Sequence, residues 1–212
     1  MRCNMCCECF FCKDKRFELN NELGLGDQEW VLYEDDSVFV TPDIAPVLKG
    51  HFLIVSNDHI NSFANGNKNI FESLIKAEEY LKTEIYKSEN VLFFEHGAVL
   101  PHTAGGCIDH AHMHAIPLSD NINIDEFLKR YDLLDTPEVP MTYDNLKQFA
   151  EKQEPYISYT IKNESIIRSA YKLPSQFFRL LVSTYYPKEY NWKLEYKTEI
   201  SKKLLLDTLH MR

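Results

Sequence analysis

The sequence predicts an α+β protein, and three observations predict it. Short β-rich runs come in pairs across polar turns, as in Trp30 to Tyr33 and Ser37 to Thr41 around Glu34-Asp35-Asp36. One long stretch, Lys68 to Ser88, spaces its apolar residues by three and four, the period of an amphipathic helix. Three histidines, His110, His112 and His114, alternate with Ala111, Met113 and Ala115. In a strand that two-residue period sets the imidazoles on one face and small or apolar partners behind them.

Taken in order, the first pair of runs reads as an antiparallel hairpin. Pro42-Asp43-Ile44-Ala45-Pro46 breaks it, and His51 to Val55 follows as a third strand, apolar enough to be central. The helix over 68–88 buries Ile70, Phe71, Leu74, Ala77, Leu81 and Ile85. Val91 to Glu95 is a fourth strand, leading through His96-Gly97 and a loop with Gly105-Gly106 into the histidine strand. Helices are expected over Asp125 to Tyr131, Thr142 to Lys152, Pro174 to about Ser183 and the last twelve or so residues. Tyr156 to Ile161 and Ser165 to Ala170 flank Lys162-Asn163-Glu164 as a second hairpin. There is no low-complexity linker and no internal repeat, and Pro137 to Pro140 is the natural break. The expected organisation is a core domain over residues 1–120 and an extension of mixed α/β character over 121–212 packed on it.

The chain of 212 residues is 44% hydrophobic and 26% charged, a globular composition. Its net charge of −9, from 23 basic and 32 acidic residues, argues against non-specific nucleic-acid binding, which needs basic surface. A small anionic ligand would need a local pocket instead. No apolar run approaches the roughly 18 residues of a membrane span, and the start Met1-Arg2-Cys3 has no apolar export signal. The expected location is cytoplasmic, with no membrane partner.

Five of the six cysteines, Cys3, Cys6, Cys7, Cys9 and Cys12, lie within the first twelve residues, and Cys107 lies apart. A disulfide framework would spread its cysteines, so a reduced, metal-binding terminus fits better. Overlapping Cys-x-x-Cys pairs have the spacing of half a tetrahedral zinc site, which needs two ligands from distant sequence. The histidine row either binds a metal or lets one imidazole act as a nucleophile while its neighbours orient it. Asp43, in a proline-flanked loop, caps a turn or accepts from ligand hydroxyls.

Two blocks carry a resemblance. His110-Ala-His112-Met-His114-Ala-Ile-Pro, together with Thr41-Pro42-Asp43-Ile44-Ala45-Pro46 running to Asp58-His59-Ile60, resembles the histidine triad (HIT) family of nucleotide hydrolases and transferases over residues 6 to 118. The resemblance implies a HIT-like fold, a mainly antiparallel sheet of about five strands with packed helices, binding a small-molecule nucleotide. By the same resemblance His112 attacks the α-phosphorus and forms a nucleotidyl-histidine, with His114 orienting it. Asp43 holds the ribose hydroxyls, and Ile44 and Phe39 line the base site. Dinucleoside polyphosphates, nucleoside phosphoramidates and nucleotide sugars are the implied substrates. A homodimer is the common arrangement of small members.

In metal-containing members the resemblance also implies a structural zinc on Cys9, Cys12, His59 and His110, giving His110 a metal role first and a phosphate contact second. Two positions depart from the family pattern. Glu95 stands where many members have a phosphate-contacting glutamine or asparagine. Gly105-Gly106-Cys107, in a longer loop with His102, replaces Gly-Gln-Ser or Gly-Gln-Thr, so Gly106 and Cys107 are expected to contact a different leaving group. His96 or His102 is a candidate proton donor to that group, and Gln176, Arg179 and Lys193 are candidate contacts from the extension. The rival readings are a nucleotide-binding sensor or interaction module without turnover, and a triad-bound metal performing hydrolysis.

Overall fold

The computed structural model describes residues 9–13, 15–26, 29–101, 108–118, 123–130, 136–171, 173, 176–185 and 198–211. Its frame is one antiparallel sheet. The strands are β1 (Tyr33–Glu34), β2 (Val38–Pro42), β3 (Phe52–Ser56), β4 (Val91–Gly97), β5 (His112–Pro117), β6 (Val139–Pro140), β7 (Tyr156–Ile161) and β8 (Glu164–Ser169). They lie in the order β1-β2-β3-β5-β4-β7-β8-β6, every described pairing antiparallel. The helices among the described residues are α1 (Arg16–Leu23), α2 (Lys68–Tyr80), α3 (Ile124–Arg130), α4 (Tyr143–Glu151), α5 (Phe177–Ser183) and α6 (Glu199–Leu209).

The strand count is eight where about five were expected, because the sheet does not stop at β4. The outer edge of β4 pairs with β7 from Phe93 opposite Thr160 to Gly97 opposite Tyr156, and β8 and β6 continue from there. Gly97 is required at that crossing, since a Cβ there would overlap the Tyr156 ring. Both edges of β4 are thereby hydrogen-bonded within the chain, and a second copy has no free edge to join at that strand. The boundary expected at 120 and 121 lies outside the described residues.

Pairing register divides the side chains between two faces. Val40 opposes Ile54, Ile54 opposes Met113, and Phe93 opposes Ala115. This face packs on α2 through Ile70, Leu74 and Ala77, and on the turn that follows it through Leu81, all buried. Each of the isoleucine and leucine side chains contributes about 1.5–3 kcal/mol relative to exposure. The expected helix over 68–88 is divided: α2 gives way to a π-helical turn at Leu81–Tyr86, ended by Lys87 at φ 52°. The wider turn brings the Tyr86 hydroxyl to the carbonyls of Gly50 at 2.6 Å and Ala115 at 2.9 Å.

The opposite face carries Phe39, Val55 and His112 in one register row, and Leu53, His114 and Phe94 in the next. Two apolar clusters flank it. One joins Phe11, Trp30, Phe39, Leu53 and Val55 to Leu205 and Leu209 of α6. The other joins Leu92, Phe94, Ile116, Ile157 and Tyr159 to Phe177, Phe178, Leu181 and Val182 of α5.

Other expectations shift by a residue or two. The hairpin turn between β7 and β8 has Lys162 at φ 46° and Asn163 at φ 68°, the positive pair of a two-residue turn matched to strand twist. Thr142 and Thr198 cap α4 and α6, accepting from the amides of Asn145 at 3.2 Å and Ser201 at 3.4 Å. Eight residues of α1 are too few to show a period in sequence, and α1 is a helix the pattern does not predict. No helix among the described residues is long and apolar enough to cross a membrane.

Candidate active site

His112 opens β5 opposite Val55, and its Nδ1 donates to the His110 carbonyl at 2.7 Å. A carbonyl only accepts, so the neutral ring holds its proton on Nδ1 and its lone pair on Nε2. Burial lowers the His112 pKa, opposed by the His110 carbonyl and by Asp43. The lone pair is thus available at neutral pH. The ring is half-buried and lies 5.0 Å from the His114 ring, centroid to centroid, at a steep angle.

His114 belongs to a buried polar chain. The Val47 amide donates to His51 Nδ1 at 3.0 Å, which puts the proton of a neutral His51 on Nε2, 2.9 Å from His114 Nδ1. Asp43 Oδ2 stands 3.3 Å from His51 Nε2 and 3.5 Å from His114 Nδ1. Its other oxygen, Oδ1, accepts from the Ala45 amide at 2.7 Å. Arg179, carried in by α5, places Nη1 3.3 Å from Asp43 Oδ2 and also donates to the Ala45 carbonyl. Burial alone would raise the Asp43 carboxyl, but Arg179, then His51 and His114, outweigh it and hold it well below the usual carboxylate range. Burial lowers His51, and brings His114 to about 4 against the pull of Asp43. Asp43, His51 and His114 have the spacing of a cation site, but the guanidinium of Arg179 already supplies the cation. His51 is the member that the sequence reading missed, its ring hidden at the start of an apolar strand.

The three imidazoles do not form one row. His112 and His114 share the face as expected, while His110 lies before β5, where Ala111 bonds Ile60 and Ser56 instead of continuing the ladder. His110 is fully buried and turns to the cysteine loop. Its Nε2 donates to the Ser56 carbonyl at 2.7 Å, leaving Nδ1 as the acceptor. Around Nδ1 stand Cys9 Sγ at 3.3 Å, His59 Nδ1 at 3.2 Å and Cys12 Sγ at 4.0 Å, with Cys12 Sγ 3.4 Å from His59 Nδ1. Ideal tetrahedral zinc bonds would separate sulfur from nitrogen by about 3.6 Å and the two nitrogens by about 3.3 Å. The four ligand atoms lie within 4.8 Å of one another, so the residues fit zinc. With both nitrogens so engaged, His110 has none for the phosphate contact expected as its second role.

Arg16 fastens this loop to the sheet. It donates to Glu34 at 2.9 Å, Asn57 at 2.6 Å and the Phe11 carbonyl at 3.3 Å, and its guanidinium lies 3.5 Å over the Phe39 ring. Phe39 is fully buried, with Trp30 edge-on beside it, so it lies within the apolar cluster and not on its surface as expected. Ile44 is half-buried against the same cluster.

Glu95 requires a correction. The pairing of Phe94 with His114 puts Phe94 and His96 on the site face and Glu95 on the other, beside Phe63 and Tyr156. There Glu95 accepts from Tyr156 Oη and from the Phe63 amide at 2.9 Å, and burial raises its pKa to about 7. It is a core acid on the face away from His112 and His114. His96 takes the position on their face. Gly106, Cys107, His102 and Lys193 lie outside the described residues, as do Cys3, Cys6 and Cys7.

The HIT domain model matches residues 27–121. An uncharacterized HIT-like protein of Borreliella burgdorferi is 30% identical over 121 residues, 54% of this chain and 78% of the relative. A second uncharacterized HIT-like protein, from Methanocaldococcus jannaschii, is 30% identical over 137 residues, 57% of this chain and 96% of its own length. Among solved structures, the yeast Ap4A phosphorylase crystallised with AMP is similar at 14% identity and TM-score 0.46, over 75% of this chain and 70% of its own. The chain belongs to the HIT family.

Proposed function

We propose that the protein is a nucleotide hydrolase or nucleotidyltransferase that acts at the α-phosphate through a nucleotidyl-histidine on His112. The observation that carries this reading is the His112 Nδ1 to His110 carbonyl hydrogen bond, which presents Nε2 as an unprotonated nucleophile.

In the first step Nε2 attacks phosphorus, the new P–N bond forms and the bond to the leaving group breaks, through oxygen in a polyphosphate or nucleotide sugar and through nitrogen in a phosphoramidate. The imidazole becomes cationic, and the His110 carbonyl steadies the proton on Nδ1. His114, held by His51 and Asp43, fixes the neighbouring edge of the pocket. In the second step water or a phosphate-bearing acceptor displaces His112, giving hydrolysis or transfer. Ile44, with Leu53 and Val55 beneath, supports an apolar surface for the base. Asp43 is the candidate ribose contact, and its engagement by Arg179 means that a sugar hydroxyl must share or displace that cation.

Zinc on Cys9, Cys12, His59 and His110 would be structural: four protein ligands close a tetrahedron and leave no open position. Its chemistry when bound is to tie the amino-terminal loop to the start of β5, which orients the His110 carbonyl. A metal-assisted hydrolysis at the triad has less support, because His110 turns away from His112.

The test is adduct trapping. Protein incubated with radiolabelled dinucleoside polyphosphates, nucleoside phosphoramidates and nucleotide sugars should yield an acid-labile adduct that His112→Ala abolishes. No adduct, and equal behaviour of the variant, would overturn the mechanism.

A further inference from the structure

We propose that His96 donates a hydrogen bond from Nε2 to a non-bridging phosphoryl oxygen of the substrate. This rests on the reading of His112 as the attacking group. His96 lies two residues past Phe94 on β4, so it shares the face of Phe94, whose ring stacks on His114 at 4.5 Å. The same strand pairs His96 with Ile157 of the site-face cluster. Extending the register of Phe94 opposite His114 by two residues sets His96 across from His112 on that face.

The buried Nε2 of His96 has no hydrogen-bond partner among the described residues. Nearly all buried polar atoms in folded proteins are paired, so one left unpaired beside a nucleophile points to a ligand as its partner. The adjacent polar side chains on these strands, Glu95 and Ser158, oppose each other on the far face and are no alternative.

The chemistry is a hydrogen bond without proton transfer. As the P–N bond to His112 forms and the leaving group departs with its electron pair, charge on the non-bridging oxygens is redistributed, and a fixed N–H donor stabilises it. Burial, then the nearby His112, lowers the His96 pKa to about 4. A neutral imidazole keeps its proton at pH 7, which favours the donor role over that of acid to the leaving group.

Three variants are compared with wild type: His96→Phe and His96→Leu, without a donor, and His96→Gln, with an amide N–H near the position of Nε2. Melting temperature is measured alone and with AMP, GMP, CMP, UMP or inorganic phosphate, and adduct formation is timed in a single turnover. His96→Phe and His96→Leu should melt no lower than wild type when free, bind the monophosphates about tenfold more weakly and form adduct about 100-fold more slowly. His96→Gln should stay within about tenfold of wild type in rate. In the unaltered protein, ¹⁵N-imidazole spectra should show the His96 Nε2–H becoming protected when the monophosphate binds. Unimpaired apolar variants, or a His96→Gln as impaired as they are together with a lowered melting temperature, would overturn the proposal alone. A wild type that responds to no nucleotide would overturn the mechanism at His112 and this proposal with it.

Discussion

Arg179 of α5 stands 3.3 Å from the carboxylate of Asp43 in the loop between β2 and β3, and both side chains are almost fully buried. That ion pair ties the far end of the chain to the polar chain behind His112. Breaking one side of a buried pair leaves an uncompensated charge, which costs about 3–5 kcal/mol. Arg179→Met is therefore expected to lower unfolding free energy by about that amount in urea titrations. Asp43→Asn added to it should recover part of the loss. A double variant as unstable as the sum of the singles would mean that the two groups do not act as a pair.

Zinc content separates the two halves of the histidine motif. As purified, the protein should hold about one zinc per chain by mass spectrometry, on the four-ligand set. Cys9→Ser or Cys12→Ser should weaken binding by more than about 100-fold and lower the melting temperature. His112→Ala should keep the metal. Metal that survives loss of Cys9 but disappears with His112 would relocate it to the triad.

Two buried acids set the pH dependence of stability. Burial raises Glu78 to about 8, and Glu95 to about 7 against the opposing bonds from Tyr156 and Phe63. Both values exceed the unfolded value of about 4.5, so at neutral pH the native state holds protons that the unfolded chain has released. Stability from these groups is complete below the unfolded value and is lost as pH rises through the folded one. The buried histidines act in the opposite sense and only below about 6.5. Between pH 6.5 and 8, unfolding free energy should fall by up to about 1.4 kcal/mol per unit for each acid still protonated. Glu78→Gln with Glu95→Gln should flatten that limb in chemical denaturation at fixed temperature.

Much of the frame is legible in the sequence because its signals are local. The turn at Lys162-Asn163 and the amphipathic run of α2 each depend on residues within a turn or two of each other. The face of Glu95 was not legible. Val91, Leu92, Phe93 and Phe94 are all apolar, since both faces of β4 are covered, and a strand buried on both sides shows no alternation. The resemblance assigned Glu95 to the site, and the register with β5 puts His96 on the site face in its place.

The histidine motif divides along the same line. By itself the sequence determined that His112 and His114 share a face with Met113 and Ala115 behind them, because a two-residue period belongs to the strand alone. The tertiary structure decided that His110 leaves the row, because β5 pairs with β3 only from His112 onward and the cysteine loop arrives beside the His110 imidazole. It also decided that Arg179 reaches Asp43 and that His96 shares the face of His112 and His114. Those are relations between segments far apart in the chain, set by strand pairing and by the burial of charge.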